Sequence, residues 1–274
     1  MTGVATNTSA FALITGASKG LGKEIAKELA SRKFNLLLVS LNNEGLREFS
    51  RSLEKEHHVE VHHIEADLSE SQTVFTIAEW AASKGPVSIL VNNAGIGGTR
   101  AFEEASVEYI DKIIQLNIRA TSLLTRLMLP VLKRQKQAYI LNVASMASFC
   151  PIAYKTVYPA SKAFIWSFSR GLNQELRNTS VFVSVIHPGP MKTNADVTRR
   201  LENQSHIGKL GVLTTQRTAK IAITRLFNHT SLIIPGFFNK INWFMSKVVP
   251  MGIRLQVMSN VMKKELEPCV LTMK

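Results

Sequence analysis

The chain has 274 residues, of which 45% are hydrophobic and 19% charged, and its formal net charge is +13. That length buries a sizeable core, and that balance excludes a disordered or fibrous polypeptide. Two cysteines, Cys150 and Cys269, are too few for a disulfide framework and are read as structural thiols, and residues 1–10 hold neither a basic n-region nor an apolar h-region, so no signal peptide is read and a cytoplasmic setting is expected.

In chain order, short apolar runs at about 11–15, 35–40, 59–65, 87–92, 138–143, 181–187 and 231–234 read as strands. Longer amphipathic stretches lie between them, with helices expected from about Gly20, from about Ser69, over 107–129 and over 158–177. This alternation predicts βαβ units in an α/β, doubly wound parallel sheet of the Rossmann kind, as a single domain over 1–274 with a C-terminal helical extension. The uncharged stretch 138–154 is interrupted by Asn142, Ser145, Ser148 and Pro151, and reads as a buried strand plus a loop, not a bilayer span. There is no internal repeat and no low-complexity linker.

The first strand runs into Thr15-Gly16-Ala17-Ser18-Lys19-Gly20-Leu21-Gly22, a glycine-rich turn ahead of a helix, where backbone N–H groups can approach a pyrophosphate. Far downstream Tyr158 and Lys162 stand four apart, one helical turn, with Ser145 thirteen positions earlier. An ammonium beside a phenol favours the phenolate, and the spacing predicts a proton-transfer device in which Lys162 lowers the pKa of Tyr158. Tyr154 has Tyr158, not a lysine, as its fourth residue onward and is not read as catalytic.

These blocks, together with Asp67-Leu68, Asn92-Asn93-Ala94-Gly95, Asn117, Tyr158-Pro159-Ala160-Ser161-Lys162 and Pro188-Gly189 followed by Thr193, resemble the short-chain dehydrogenase/reductase superfamily in order and spacing over residues 11–193. The resemblance implies an oxidoreductase with Asn117, Ser145, Tyr158 and Lys162 as the catalytic group. Tyr158 would exchange the proton with the carbonyl oxygen, Ser145 would steady that oxygen, Lys162 would also hold the nicotinamide ribose, and Asn117 would hold a water feeding the lysine. It further implies cofactor contacts from Gly16, Ser18, Lys19, Gly20, Leu21, Gly22, Ser40, Asp67, Leu68, Asn93, Ala94, Gly95, Tyr158, Lys162, Pro188, Gly189 and Thr193. Asp67 would accept from the adenine amino group; its other reading is an N-cap for the helix near Ser69.

Cofactor choice turns on the end of the second strand, where NAD-preferring relatives place an acid. Ser40 stands there, no carboxylate is expected nearby, and Lys19 can meet a 2′-phosphate, so NADP(H) is favoured, with NAD(H) the other reading. Relatives often carry arginine where this chain has Leu41.

His57, His58, His62 and His63 invite a metal, but side chains alternate along a strand, so no metal site is read. From Lys192 to Lys274 the balance is +9 of the chain's +13, interleaved over 236–266 with the apolar stripe Phe237, Phe238, Ile241, Phe244, Met245, Val248 and Val249, with Lys240 and Lys247 between. This extension is read as a helix packing on the core or on a second subunit, or else as a membrane-surface helix or a cap over a lipophilic substrate. A base-reading module is absent, so nucleic acid is not an expected partner. Residues 194–230 are read as the substrate loop, and the substrate as an apolar or lipid-like carbonyl or secondary alcohol. The alternatives are a 3-oxoacyl-thioester reductase and a non-catalytic dinucleotide-sensing protein. Family resemblance adds a homo-dimer or homo-tetramer formed through the helices near 107–129 and 158–177.

Overall fold

The computed structural model describes residues 10–191 and 211–270. Seven strands, β1 (Phe11–Thr15), β2 (Asn35–Ser40), β3 (Val61–Glu65), β4 (Val87–Asn92), β5 (Ala138–Val143), β6 (Val181–Ile186) and β7 (Leu232–Ile233), form one sheet in the order β3-β2-β1-β4-β5-β6-β7. Every pair is parallel. Leu36, Leu37, Leu38 and Val39 are all fully buried, because helices cover both faces and a central parallel strand has no wet side. Each such leucine contributes about 1.5–3 kcal/mol of burial. Only the edge strand β3 tolerates His62 and His63, which stay partly exposed, and among the described residues no His, Cys, Asp and Glu side chains converge as a metal site.

One face is covered by α1 (Gly20–Ser31), α2 (Leu46–His57) and α7 (Thr215–Phe227), which bring Ile25, Leu29, Phe49 and Ile223 onto Leu36 and Leu38. The other is covered by α3 (Thr73–Lys84), α5 (Thr121–Lys133) and α6 (Val157–Glu175), with Ile77, Leu124 and Leu172 against Leu13 and Leu90. Between α4 (Val107–Ile113) and α5 lies a π-helical turn, Ile114–Ala120, so the single helix expected over 107–129 is wound more loosely in its middle. Two further helices follow, α8 (Phe237–Val248) and α9 (Met251–Val270). Among the described residues no helix is long and apolar enough to cross a membrane.

Two expectations fail on this frame. The helix expected from about Ser69 starts at Thr73, because the Asp67 carboxylate takes the Ser69 N–H (2.9 Å) and hydroxyl (2.6 Å) and closes a local turn there. The stretch read as a substrate loop is helical over Thr215–Phe227: the Thr214 hydroxyl caps it through the Arg217 N–H, and Ala219, Ala222, Ile223 and Leu226 bury one face against α1. Thr193 and the rest of 192–210 lie outside the described residues.

Candidate active site

A doubly wound sheet opens a crevice outside the carboxyl ends of its strands where the strand order reverses, here between β1 and β4. The glycine turn leaves β1 at that point. Gly16 (φ +65) and Gly20 (φ +58) adopt left-handed backbone, and a Cβ on Gly22 would overlap the Gly16 carbonyl oxygen. The α1 N-terminus that follows has no side-chain cap and no acid in its first turn, so its N–H groups and dipole stay available to an anion. Asn93 braces the turn from β4, its Nδ2 donating to the carbonyls of Thr15 (2.9 Å) and Gly16 (3.0 Å), while the Thr15 hydroxyl accepts from the N–H groups of Asn93 and Ala94, each at 3.0 Å. Glycines and uncapped donors in this arrangement fit the pyrophosphate of a dinucleotide.

At the adenosine end the expectation needs correcting. Ser40 is buried and spends its hydroxyl on the Leu41 carbonyl. A carboxylate does stand nearby: Glu44 accepts hydrogen bonds from both the Ser18 hydroxyl and the Lys19 ammonium. Burial pushes the Glu44 carboxyl up, but the bonds from Lys19 and Ser18 and the lysine charge outweigh it and hold the group below its ordinary value. Asp67 behaves alike: burial raises it, while Ser69 and Lys112 (3.1 Å) hold it down. Leu68 is buried beneath it.

On the other side of the crevice, β5 ends at Val143, and Ser145, two residues on, starts a 3-10 turn over Met146–Phe149. Its Oγ accepts from the Ala147 N–H (3.2 Å), which fixes the oxygen, and its hydroxyl meets the Tyr158 phenol. Tyr158 and Lys162 lie on the first turns of α6, where Pro159 is tolerated because a first-turn N–H has no helical partner. Lys162 is buried, its Nζ donates to the Val143 carbonyl (2.9 Å), and burial lowers its pKa to about 8. The expected depression of Tyr158 by Lys162 is reversed: the ammonium stands 5.9 Å from the ring centroid, and burial pushes the phenol above its ordinary value, with the Ser145 hydroxyl pulling it part of the way down. Ser145, Tyr158 and Lys162 are thus together, with a phenol that holds its proton firmly at neutral pH.

Asn117 sits in the π-helical turn, fully buried, and grips the loop after β4: its Oδ1 accepts from the Ile96 N–H (3.0 Å) and its Nδ2 donates to the Ile96 carbonyl and the Ser161 hydroxyl, each at 2.9 Å. A Cβ on Gly95 would lie 3.0 Å from Asn117 Oδ1 and 3.2 Å from Lys162 Nζ, so this glycine lets both polar groups close in. Deeper still, Asn92 donates to Asn142 (2.8 Å) and Thr125 (2.9 Å), and Asn142 donates to Ser169 (2.9 Å), a buried chain tying β4 and β5 to α5 and α6. Pro188 and Gly189 close the crevice; the Pro188 carbonyl accepts from the Met146 N–H (3.0 Å), and Gly189 packs on Asn239 of α8.

Sequence reasoning missed several groups here. Gly97 lies flat against the Tyr158 ring, where a Cβ would clash, and its signal was the glycine pair Gly97-Gly98, one residue beyond the Asn92–Gly95 block. A cleft beside the phenol is lined by Phe102, Tyr109, Ile113 and Tyr154, an aromatic and aliphatic wall that Arg100 and Lys155 also border. His187, fully buried against Phe149 (ring centroids 4.4 Å apart), has its Nδ1 3.0 Å from the Ser145 carbonyl, and burial lowers its pKa to about 4. Among the described residues its Nε2 has no hydrogen-bond partner.

A family model described as short chain dehydrogenase matches residues 10–204. The very-long-chain 3-oxoacyl-CoA reductase of Anas platyrhynchos is 34% identical over 185 residues, covering 65% of this chain and 59% of that protein, so the chain spans about three fifths of that relative's length. Among solved structures, a short-chain dehydrogenase from Sphingobium yanoikuyae in complex with NADPH is 26% identical, with a TM-score of 0.77 over 89% of this chain and 95% of that one. A short chain dehydrogenase/reductase from Burkholderia phymatum in complex with NAD is 25% identical, with a TM-score of 0.73 over 82% and 88%.

Proposed function

The chain belongs to the short chain dehydrogenase family, and from that premise we propose that it is a single-domain oxidoreductase moving a hydride between a nicotinamide dinucleotide and a carbonyl or secondary alcohol of an apolar substrate. The observation that carries the reading is the meeting of Ser145, Tyr158 and Lys162 between the glycine turn and an aromatic cleft. The dinucleotide, when bound, supplies the hydride. Tyr158 holds the proton that the substrate oxygen takes up, and burial keeps the phenol protonated at neutral pH until it does. Ser145 Oγ, fixed by the Ala147 N–H, turns its hydrogen toward the same oxygen. Lys162 contributes the positive charge beneath the phenol, and Asn117 holds the loop that packs on it.

We favour NADP(H), with Lys19 meeting the 2′-phosphate once Glu44 releases it. Lys19 is 66% exposed and Glu44 only 19%, so the lysine is the partner free to turn toward a ligand. A calorimetric titration with NADPH and NADH, without substrate, tests this. NADPH is expected to bind tighter, Lys19→Ala to narrow the gap, and Glu44→Gln to widen it by removing a competing anion. Preference for NADH, or a Glu44→Gln protein with an unchanged ratio, would contradict it.

A 3-oxoacyl thioester is the second substrate reading, favoured by the name of the Anas platyrhynchos relative. A cytoplasmic location and a homo-dimer or homo-tetramer belong to the same proposal; exposed apolar residues on α4, the π-helical turn and α6, Val107, Ile114 and Phe164, support the pairing.

A further inference from the structure

Helices α8 and α9 carry eleven of the seventeen exposed large hydrophobic residues found among the described residues. Phe237, Ile241, Phe244 and Val248 follow one another at spacings of four, three and four, one stripe of α8, and Phe237 is 72% exposed, Phe244 59% and Val248 61%. The stripe continues onto α9 at Ile253 and Val257. An apolar surface this extensive is not left to water without a partner.

Charge identifies the partner. Between Glu202 and Glu265 the sequence has no acidic residue at all, whereas Lys240, Lys247, Arg254 and Lys263 lie along these two helices. The Lys247 ammonium rests 3.8 Å from the centroid of the Trp243 ring, the aromatic and cationic pairing that suits a water–lipid boundary. Symmetric pairing with a second copy would set this face against itself, cation against cation with no acid to receive them. A cap over the substrate is also disfavoured, since the stripe faces outward and other residues line the cleft beside Tyr158.

We propose that α8 and α9 dock on an anionic lipid bilayer, with the apolar stripe in the acyl boundary and the lysines on headgroup phosphates. The pair is well placed to deliver a lipophilic substrate. Arg254 donates to the Phe149 carbonyl (2.8 Å), at the end of the turn that Ser145 begins, and buried Asn239 donates to the Pro235 (2.7 Å) and Gly211 (3.1 Å) carbonyls while packing on Gly189. Delivery rests on the proposed apolar carbonyl substrate; docking itself does not.

Co-sedimentation of the full chain, with neither cofactor nor substrate, tests docking on vesicles of phosphatidylcholine alone and mixed with phosphatidylglycerol. Binding is expected on the mixed vesicles only, weakening as salt rises, about fivefold weaker for Lys240→Gln or Lys247→Gln, and lost in Phe244→Glu. NADPH titration of each variant shows that the fold and its cofactor site persist, so a failure of docking is separable from a failure of the enzymatic reading. The proposal is overturned if wild type ignores the mixed vesicles, if Phe244→Glu binds them as well as wild type does, or if Phe244→Glu instead abolishes a concentration-dependent dimer.

Discussion

At the residue scale, a few side chains depart from what their types and spacing suggest, and each departure has a physical cause. Tyr158 and Lys162 could be recognised from their spacing alone, but the direction of the phenol's shift could not. Spacing gives the nearness of the charge, whereas burial depends on what the fold lays over the ring, here Gly97 and the wall of the cleft. Glu44 was invisible for a similar reason: it reaches Ser18 and Lys19 across twenty-five or more residues, through a loop whose path no local pattern encodes. His187 offers a test. Its pKa falls from 6.5 to about 4 in the folded protein. Between those values the unfolded chain binds a proton that the folded chain refuses, so stability is retained above pH 6.5 and declines as pH falls toward 4, by about 3 kcal/mol. Denaturant midpoints at neutral and acidic pH are expected to show a smaller acid loss for His187→Asn than for wild type, and parallel losses would refute this account.

At the element scale, the strands were readable because a buried parallel strand must be a short apolar run; β2 and β4 occupy the expected spans, Asn35–Ser40 and Val87–Asn92. Helix α7 was not read, although its evidence was present. Thr214 precedes Ala219, Ala222, Ile223 and Leu226, a cap followed by an apolar face, but a basic stretch without acids reads as a loop until α1 is seen beneath it. The prediction is that Ile223→Ala, which empties a fully buried site between α7 and the sheet, costs about 2–5 kcal/mol in denaturant unfolding. A loss under about 1 kcal/mol would mean that α7 is not part of the core. The π-helical turn is likewise beyond sequence periodicity, which registers only that residues 107–129 are helical. The loosened winding places Asn117 where it can grip Ile96 and Ser161 at once.

At the scale of the whole molecule, the order β3-β2-β1-β4-β5-β6-β7 brings the glycine turn, the loop after β4 and the end of β5 to one rim of the sheet. Residues from 16 to 189 meet there because parallel strands all present their carboxyl ends on the same side. The site's chemistry was therefore more readable than its surroundings: motif residues are fixed by backbone geometry, whereas the cleft wall and the outward face of α8 depend on packing and on partners. The most direct test of the central claim follows cofactor oxidation with an apolar ketone or 3-oxoacyl thioester, comparing wild type with Tyr158→Phe. The account predicts turnover by wild type, a fall of about 10²–10⁴ in kcat for Tyr158→Phe, and unchanged cofactor affinity. A Tyr158→Phe protein that keeps the full rate would contradict it.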